Sequence, residues 1–218
     1  MPLNTLGQGF FRYDKEQLYA VLDCESCNLN LGLLDNKPWE WSIIEVRGEE
    51  ILKKHDLYVK WDNLAVSRDA ARITNFNPQI IESRGKDPKE VLDIVDSYFY
   101  SPKHLLIIHN GLNFDLYLQS IHRRALGLKP DYSYVNRILD TNALFKGYKL
   151  NKQPESREKL LEYQYRLANH KQKGLKSSLK HCCKEFEIEY RDDLAHSALY
   201  DCEVLLKFWN KLKWNIEC

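Results

Sequence analysis

Leu18-Tyr-Ala-Val-Leu-Asp-Cys-Glu25 runs apolar for its first residues, then places two carboxylates around a cysteine before the chain turns polar at Ser26 and Asn28. That pattern suits a buried β-strand ending in a loop. Side chains alternate along a strand, so Asp23 and Glu25 share one face while Cys24 points to the other. Two carboxylates at an apolar strand end repel unless something cationic lies between them, and a divalent metal held by oxygen ligands is the usual remedy.

Working outward, Trp41 to Val46 and Ile51 to Val59 flank the turn-like Arg47-Gly-Glu-Glu50 and read as a hairpin beside the first strand. Pro88 to Tyr100 carries Val91, Leu92, Val95 and Phe99 at helical spacing, with Asp87 as N-cap and proline in the first turn. Leu105 to Ile108 is a short apolar strand, followed by a helix over Asn113 to Leu128 with Gly127 near its end. Tyr134 to Leu139 reads as a fifth strand, and helices are expected over Glu155 to Ala168, Leu175 to Phe186 and Ser197 to Leu212. The order suggests an α/β fold: a five-stranded mixed sheet flanked by helices, in which strands one, four and five run parallel through helical crossovers. No repeat or linker divides it, so residues 1–218 are expected to form a single domain.

Composition narrows the class. The chain has 218 residues, 44% of them hydrophobic and 29% charged, with 9 Gly and 7 Pro, which excludes collagen-like, coiled-coil and low-complexity proteins. No apolar run approaches the roughly 20 residues of a membrane helix. Met1 to Gly9 lacks a basic region followed by an apolar one, so a soluble, cytoplasmic protein without membrane association is expected. Cys24, Cys27, Cys182, Cys183, Cys202 and Cys218 are read as reduced thiols. Cys24-x2-Cys27 is a single pair, without the second pair that a structural zinc site requires.

The formal net charge of +1 gives no global argument for a polyanionic partner, so any nucleic-acid site must be local. Between Lys146 and Lys180 there are ten Lys or Arg against three Glu. Two readings stand side by side: a solvated helical insertion over about 146–173, or a phosphate-binding flank.

Two further segments join the first carboxylates. His109-Asn-Gly-Leu-Asn-Phe-Asp115 follows an apolar strand and opens a helix, placing Asp115 at the carboxyl end of a strand beside Asp23, where open α/β sheets put ligands. A carboxylate there also complements the helix dipole. In His196-Ser-Ala-Leu-Tyr-Asp201, Ser197 is positioned to cap the last long helix, Asp201 lies in its first turns, and His196 sits on the preceding loop within reach of a water.

Together these segments resemble the DEDDh 3′-to-5′ exonucleases, which include polymerase proofreading subunits, RNase T and oligoribonuclease. Asp23-Cys-Glu25 looks like the first motif, His109-Asn110 through Phe114-Asp115 like the second, and His196-x4-Asp201 like the third. Leu139-Asp-Thr141 and Gly174 to Leu179 extend the resemblance. Ser197 stands where the tyrosine variant carries its Tyr, which points to the histidine form.

The resemblance implies an RNase H-like fold and a catalytic set of Asp23, Glu25, Asp115, Asp201 and His196. The four acids would hold two Mg²⁺ or Mn²⁺ ions, and His196 would act as general base. Ser26 and Cys27, through backbone, and Asn110 or Asn113 would contact the terminal nucleotide. Expected partners are single-stranded DNA or RNA 3′ ends and a polymerase or replication protein. A binding module on a degenerate exonuclease fold and an endonuclease of RNase H architecture are the competing readings. Low Ala and Gly with abundant Lys, Asn, Tyr and Ile hint at an AT-rich genome of viral or bacterial origin.

Overall fold

The computed structural model describes residues 11–30, 32 and 36–216 of the chain. Met1 to Gly9, read above for a leader, and Cys218 lie outside them. The five described cysteines are buried, and Cys24, Cys182, Cys183 and Cys202 are free thiols. No described helix is long and apolar enough to cross a membrane.

Strands β1 (Leu18–Ser26), β2 (Pro38–Arg47) and β3 (Glu50–Val59) form an antiparallel meander. Gly48 sits in the turn between β2 and β3 with φ at +59°, a left-handed conformation that glycine adopts at no steric cost. Two more strands, β5 (His104–Ile108) and β6 (Ile138–Asp140), run parallel to β1 on its other side. The expected count of five becomes six, because the two-residue β4 (Gly85–Lys86) pairs with Tyr58 and Val59 of β3. Strand order is β4-β3-β2-β1-β5-β6. The sheet is therefore mixed, with β1 at the junction of its antiparallel and parallel halves.

Helices α1 (Arg68–Ile73) and α2 (Pro78–Arg84) precede α3 (Pro88–Phe99), and α4 (Asp115–Ala125) follows β5. Four more follow β6: α5 (Thr141–Lys149), α6 (Leu160–Ala168), α7 (Leu179–Glu185) and α8 (Ala198–Ile216). Asp87 caps α3 as expected, accepting from the Lys89 and Glu90 amides. The expected strand over Tyr134 to Leu139 is mostly a 3-10 turn at Val135–Arg137, leaving only Ile138–Asp140 to pair. The expected helix starts at Asn113, Glu155 and Leu175 move inward to Asp115, Leu160 and Leu179.

Alternation along β1 divides the core. Tyr19 and Val21 pack on one face with Leu144, Phe145, Leu167, Cys202, Leu205 and Trp209 from α5, α6 and α8. Ala20, Leu22 and Cys24 pack on the other with Val91, Val95, Phe99 and Leu116 from α3 and α4. Asp23 and Glu25 continue the parity of Tyr19 and Val21, so they lie on the α8 side.

Candidate active site

The carboxyl end of β1 collects acids from four elements. Glu25 is 9% exposed, Asp115 3% and Asp201 9%. Glu25, His196 and Asp201 each offer a ligand atom, and these atoms lie within 4.8 Å of one another, a group able to hold a metal ion. Asp23 and Asp115 belong to the same electrostatic cluster. Burial raises the Asp23 pKa well above the usual carboxylate range, with further contributions from Asp115, Asp201, Glu25 and Glu40. Glu25 is raised likewise by burial, then by Glu40, Asp201 and Asp115. Burial pushes Asp115 up to about 7. Asp201 rises to about 6 by burial, against the pull of the neighbouring His196.

Local structure holds each acid in place. Asp115 opens α4, and Gly111 in the turn before it leaves room: a Cβ there would stand 2.9 Å from Asp115 Oδ2 and 2.4 Å from Ile108 Cδ1. That turn hangs on Asp140, which is fully buried and accepts hydrogen bonds from the Asn110, Leu112 and Asn142 amides at 3.0 Å each. Asp201 is fixed within α8, and its Oδ2 accepts the His196 amide at 3.1 Å. His196 is exposed with φ at +63°, in the left-handed region. Its loop is tied from outside by Asn75, whose Nδ2 donates to the Ala195 carbonyl at 3.4 Å.

The donor set fits divalent cations. Asp115 Oδ1 and Asp201 Oδ1 are buried without a hydrogen-bond partner among the described residues, although buried acceptors are ordinarily satisfied. Among the described residues, no lysine or arginine forms a salt bridge with Asp23, Glu25, Glu40, Asp115 or Asp201. Oxygen-rich, mutually repelling and short of cations, the cluster is suited to hard metal ions such as Mg²⁺ or Mn²⁺.

The four remaining sequence candidates have mixed placements. Ser26 is buried, and its Oγ donates to the Asn28 carbonyl at 2.8 Å. Cys27 is buried with its thiol directed at the Lys37 carbonyl at 2.8 Å, so its side chain is not presented to a ligand. Asn110 is exposed at φ +65°, and its Oδ1 accepts from Asn113 Nδ2 at 3.1 Å. His109, in the same motif, is structural: it contacts Thr141 Oγ1 at 2.9 Å and the Ser177 carbonyl at 3.0 Å, and burial lowers its pKa to about 4.

The expected helix cap is corrected. Among the described residues Ser197 Oγ makes no hydrogen bond, and Glu40 of β2 instead accepts the Ala198 amide at 3.1 Å. Glu40 is 2% exposed and raised to about 8, mainly by burial. Neither Glu40 nor Asp140 was singled out as a site residue from the sequence. A charge alternating with Trp39 and Trp41 was the available signal for Glu40, but the expected strand began one residue too late to include it.

The basic stretch is partly consumed by the fold. Lys146 is buried and donates to the Ala168 carbonyl, Lys149 pairs with Glu185, Arg166 with Glu158, and Lys180 with Asp192. Arg157, Lys159, Lys171, Lys173 and Lys176 remain exposed and outside any ion pair among the described residues.

The mixed sheet, with β1 ending in a buried carboxylate cluster, has the RNase H-like arrangement. The RNase T exonuclease family profile matches residues 20–208, and the chain belongs to that family. It is 24% identical over 206 residues to a PolC-type DNA polymerase III of Ureaplasma parvum, covering 91% of this chain and 12% of the polymerase. The corresponding polymerase of Mycoplasma genitalium is 23% identical over 189 residues, covering 87% of this chain and 11% of that one. The chain thus spans about an eighth of the length of these relatives. Escherichia coli exonuclease I in complex with a dA16 oligonucleotide has the same fold, with a TM-score of 0.71 at 19% identity over 91% of this chain and 41% of that one. Its complex with dT13 gives 0.70 at 20% identity, over 90% and 41%.

Proposed function

We propose that the chain removes nucleoside 5′-monophosphates from the 3′ end of single-stranded nucleic acid, DNA in preference to RNA. The observation carrying this reading is the convergence of Asp23, Glu25, Asp115 and Asp201 beside His196, with two buried carboxylate oxygens unpaired. Membership of the exonuclease family supports it, as do the oligonucleotide complexes of the structurally similar exonuclease I. The polymerase relatives support a replication partner.

Asp23, Glu25, Asp115 and Asp201 would hold two Mg²⁺ or Mn²⁺ ions. Bound there, the ions supply neutralisation of phosphate charge and a more acidic water. His196 takes the proton of the attacking water at its imidazole. Its exposed loop position leaves the ring open to solvent on one side and to Asp201 and Glu25 on the other. Asn110 and Asn113, together with the backbone at Ser26 and Cys27, lie at the strand ends where the terminal nucleotide would sit. Arg157, Lys159, Lys171, Lys173 and Lys176 are the cations left for more distant phosphates.

The test is a time course on 5′-labelled single-stranded DNA and RNA of one sequence, with Mg²⁺, Mn²⁺ or EDTA. A metal-dependent ladder shortening from the 3′ end, absent in Asp201→Ala, is expected. In the same assay His196→Ala should lower the rate by roughly 10²- to 10⁴-fold, the usual contribution of a general base. Well-folded protein that cuts neither polymer would move the binding-module reading to first place.

A further inference from the structure

Glu40 is the one acid of the cluster with no part in the proposed chemistry. It stands opposite Glu25 in the β1–β2 ladder, is 2% exposed, and reaches across to the start of α8. There its Oε1 accepts the Ala198 amide at 3.1 Å. First-turn amides have no acceptor within their own helix. Here the acceptor is not the adjacent Ser197 but a strand residue 158 positions away in sequence. The helix fastened in this way carries Asp201 on its first turn, and His196 lies two residues before it. The same strand pair therefore presents Glu25 on β1 and, through Glu40 on β2, anchors the element that presents Asp201.

We infer that Glu40 is a positioning residue: its carboxyl clamps the N-terminus of α8 to β2 and so sets where Asp201 and His196 stand relative to Glu25. The clamp needs an acceptor oxygen at that point, which glutamine keeps and alanine removes. A negative charge so close to Glu25 and Asp201 would only repel them, so the hydrogen bond is the contribution. The inference rests on reading Glu25 and Asp201 as metal ligands, and its test is arranged to separate the two.

Mn²⁺ binding is followed by electron paramagnetic resonance of the free ion. Alongside it, kcat and KM on a short single-stranded oligonucleotide are measured for wild type, Glu40→Gln, Glu40→Ala, Glu40→Met and Asp201→Ala, with melting curves to establish folding. Glu40→Gln should stay close to wild type in both readouts. Glu40→Ala and the volume-matched Glu40→Met should lose about 10- to 100-fold in Mn²⁺ affinity, as for other residues that orient metal ligands, and lose kcat with little change in KM. If the alanine variant does not fold, the glutamine and methionine variants decide the matter. Wild-type Mn²⁺ affinity in Glu40→Met, or a glutamine variant as impaired as the methionine one, overturns the clamp. Asp201→Ala that keeps wild-type Mn²⁺ binding overturns the metal assignment and the clamp with it. Loss in Asp201→Ala alone overturns only the clamp.

Discussion

At Asp115 and Asp201 the protein buries carboxyl groups that neither a cation nor a donor fully satisfies, and this has a consequence for stability. The unfolded chain titrates its carboxyls near 4, whereas native Asp115 and Asp201 sit at about 7 and about 6. Between those values the native, metal-free protein retains protons the unfolded chain has released, so stability falls as pH rises through the window. His109 and His122, both lowered to about 4 by burial, act in the opposite sense below about pH 6.5, so the informative range lies above it. EDTA-treated wild type should melt progressively lower from about pH 6.5 to pH 8, and Asp115→Asn, which cannot ionise, should fall less and melt higher at the alkaline end. Added Mg²⁺ should narrow that gap by raising the wild type more than the variant. A wild-type melting temperature that climbs over this range would contradict the argument. The residues concerned were legible in the sequence because each closes a short motif at the start of an expected helix, His109 to Asp115 and His196 to Asp201. Glu40, and the hold of Asp140 on the Asn110 and Leu112 amides, were not, since those amides are distant in sequence.

Elements were legible in proportion to their length. β1, β5, α3 and α8 carry clear periodicity, and the structure places them close to the expected bounds. α1 and α2 have six and seven residues, too few for a periodic signal, although Ser67 and Asn77 cap them with side chains that accept from Ala70 and Gln79. α5 was not expected, although Asp140 caps it by accepting the Asn142 and Ala143 amides. Its Gly147 lies against α6, where a Cβ would stand 2.2 Å from the Tyr163 hydroxyl and 2.9 Å from Leu167 Cδ1. Gly147→Ala should therefore force the two helices apart despite alanine's better helix propensity, at about 1–3 kcal/mol. For a chain of this size that is a fall of roughly 2–4 °C in Tm per kcal/mol, read by calorimetry. An unchanged or raised Tm would mean that the helix pair yields more easily than its packing indicates.

On the scale of the molecule, the topology follows from one strand. β1 is antiparallel to β2 and parallel to β5, so its carboxyl end faces both the hairpin side, which supplies Glu40, and the crossover side, which supplies Asp115. The mixed character of the sheet was legible from the order of strands and helices. Its sixth strand was not, since two residues carry no alternation.

That shortness of β4 leaves a mark elsewhere. It covers only Tyr58 and Val59 of β3, so among the described residues the run from Glu50 to Leu57 is a free sheet edge, with Ile51 44% and Leu52 39% exposed. An uncovered apolar edge invites a second chain to add itself, and charge is a common deterrent. Here Lys53 supplies it directly after the apolar pair, and Lys54 beside it pairs with Glu203 of α8 at 2.7 Å. Replacing both by valine should turn this border into a docking strand, with light scattering rising at concentrations where the wild type stays dispersed. Two lysines on the sheet border would then be what keeps the protein from clumping in a crowded solution.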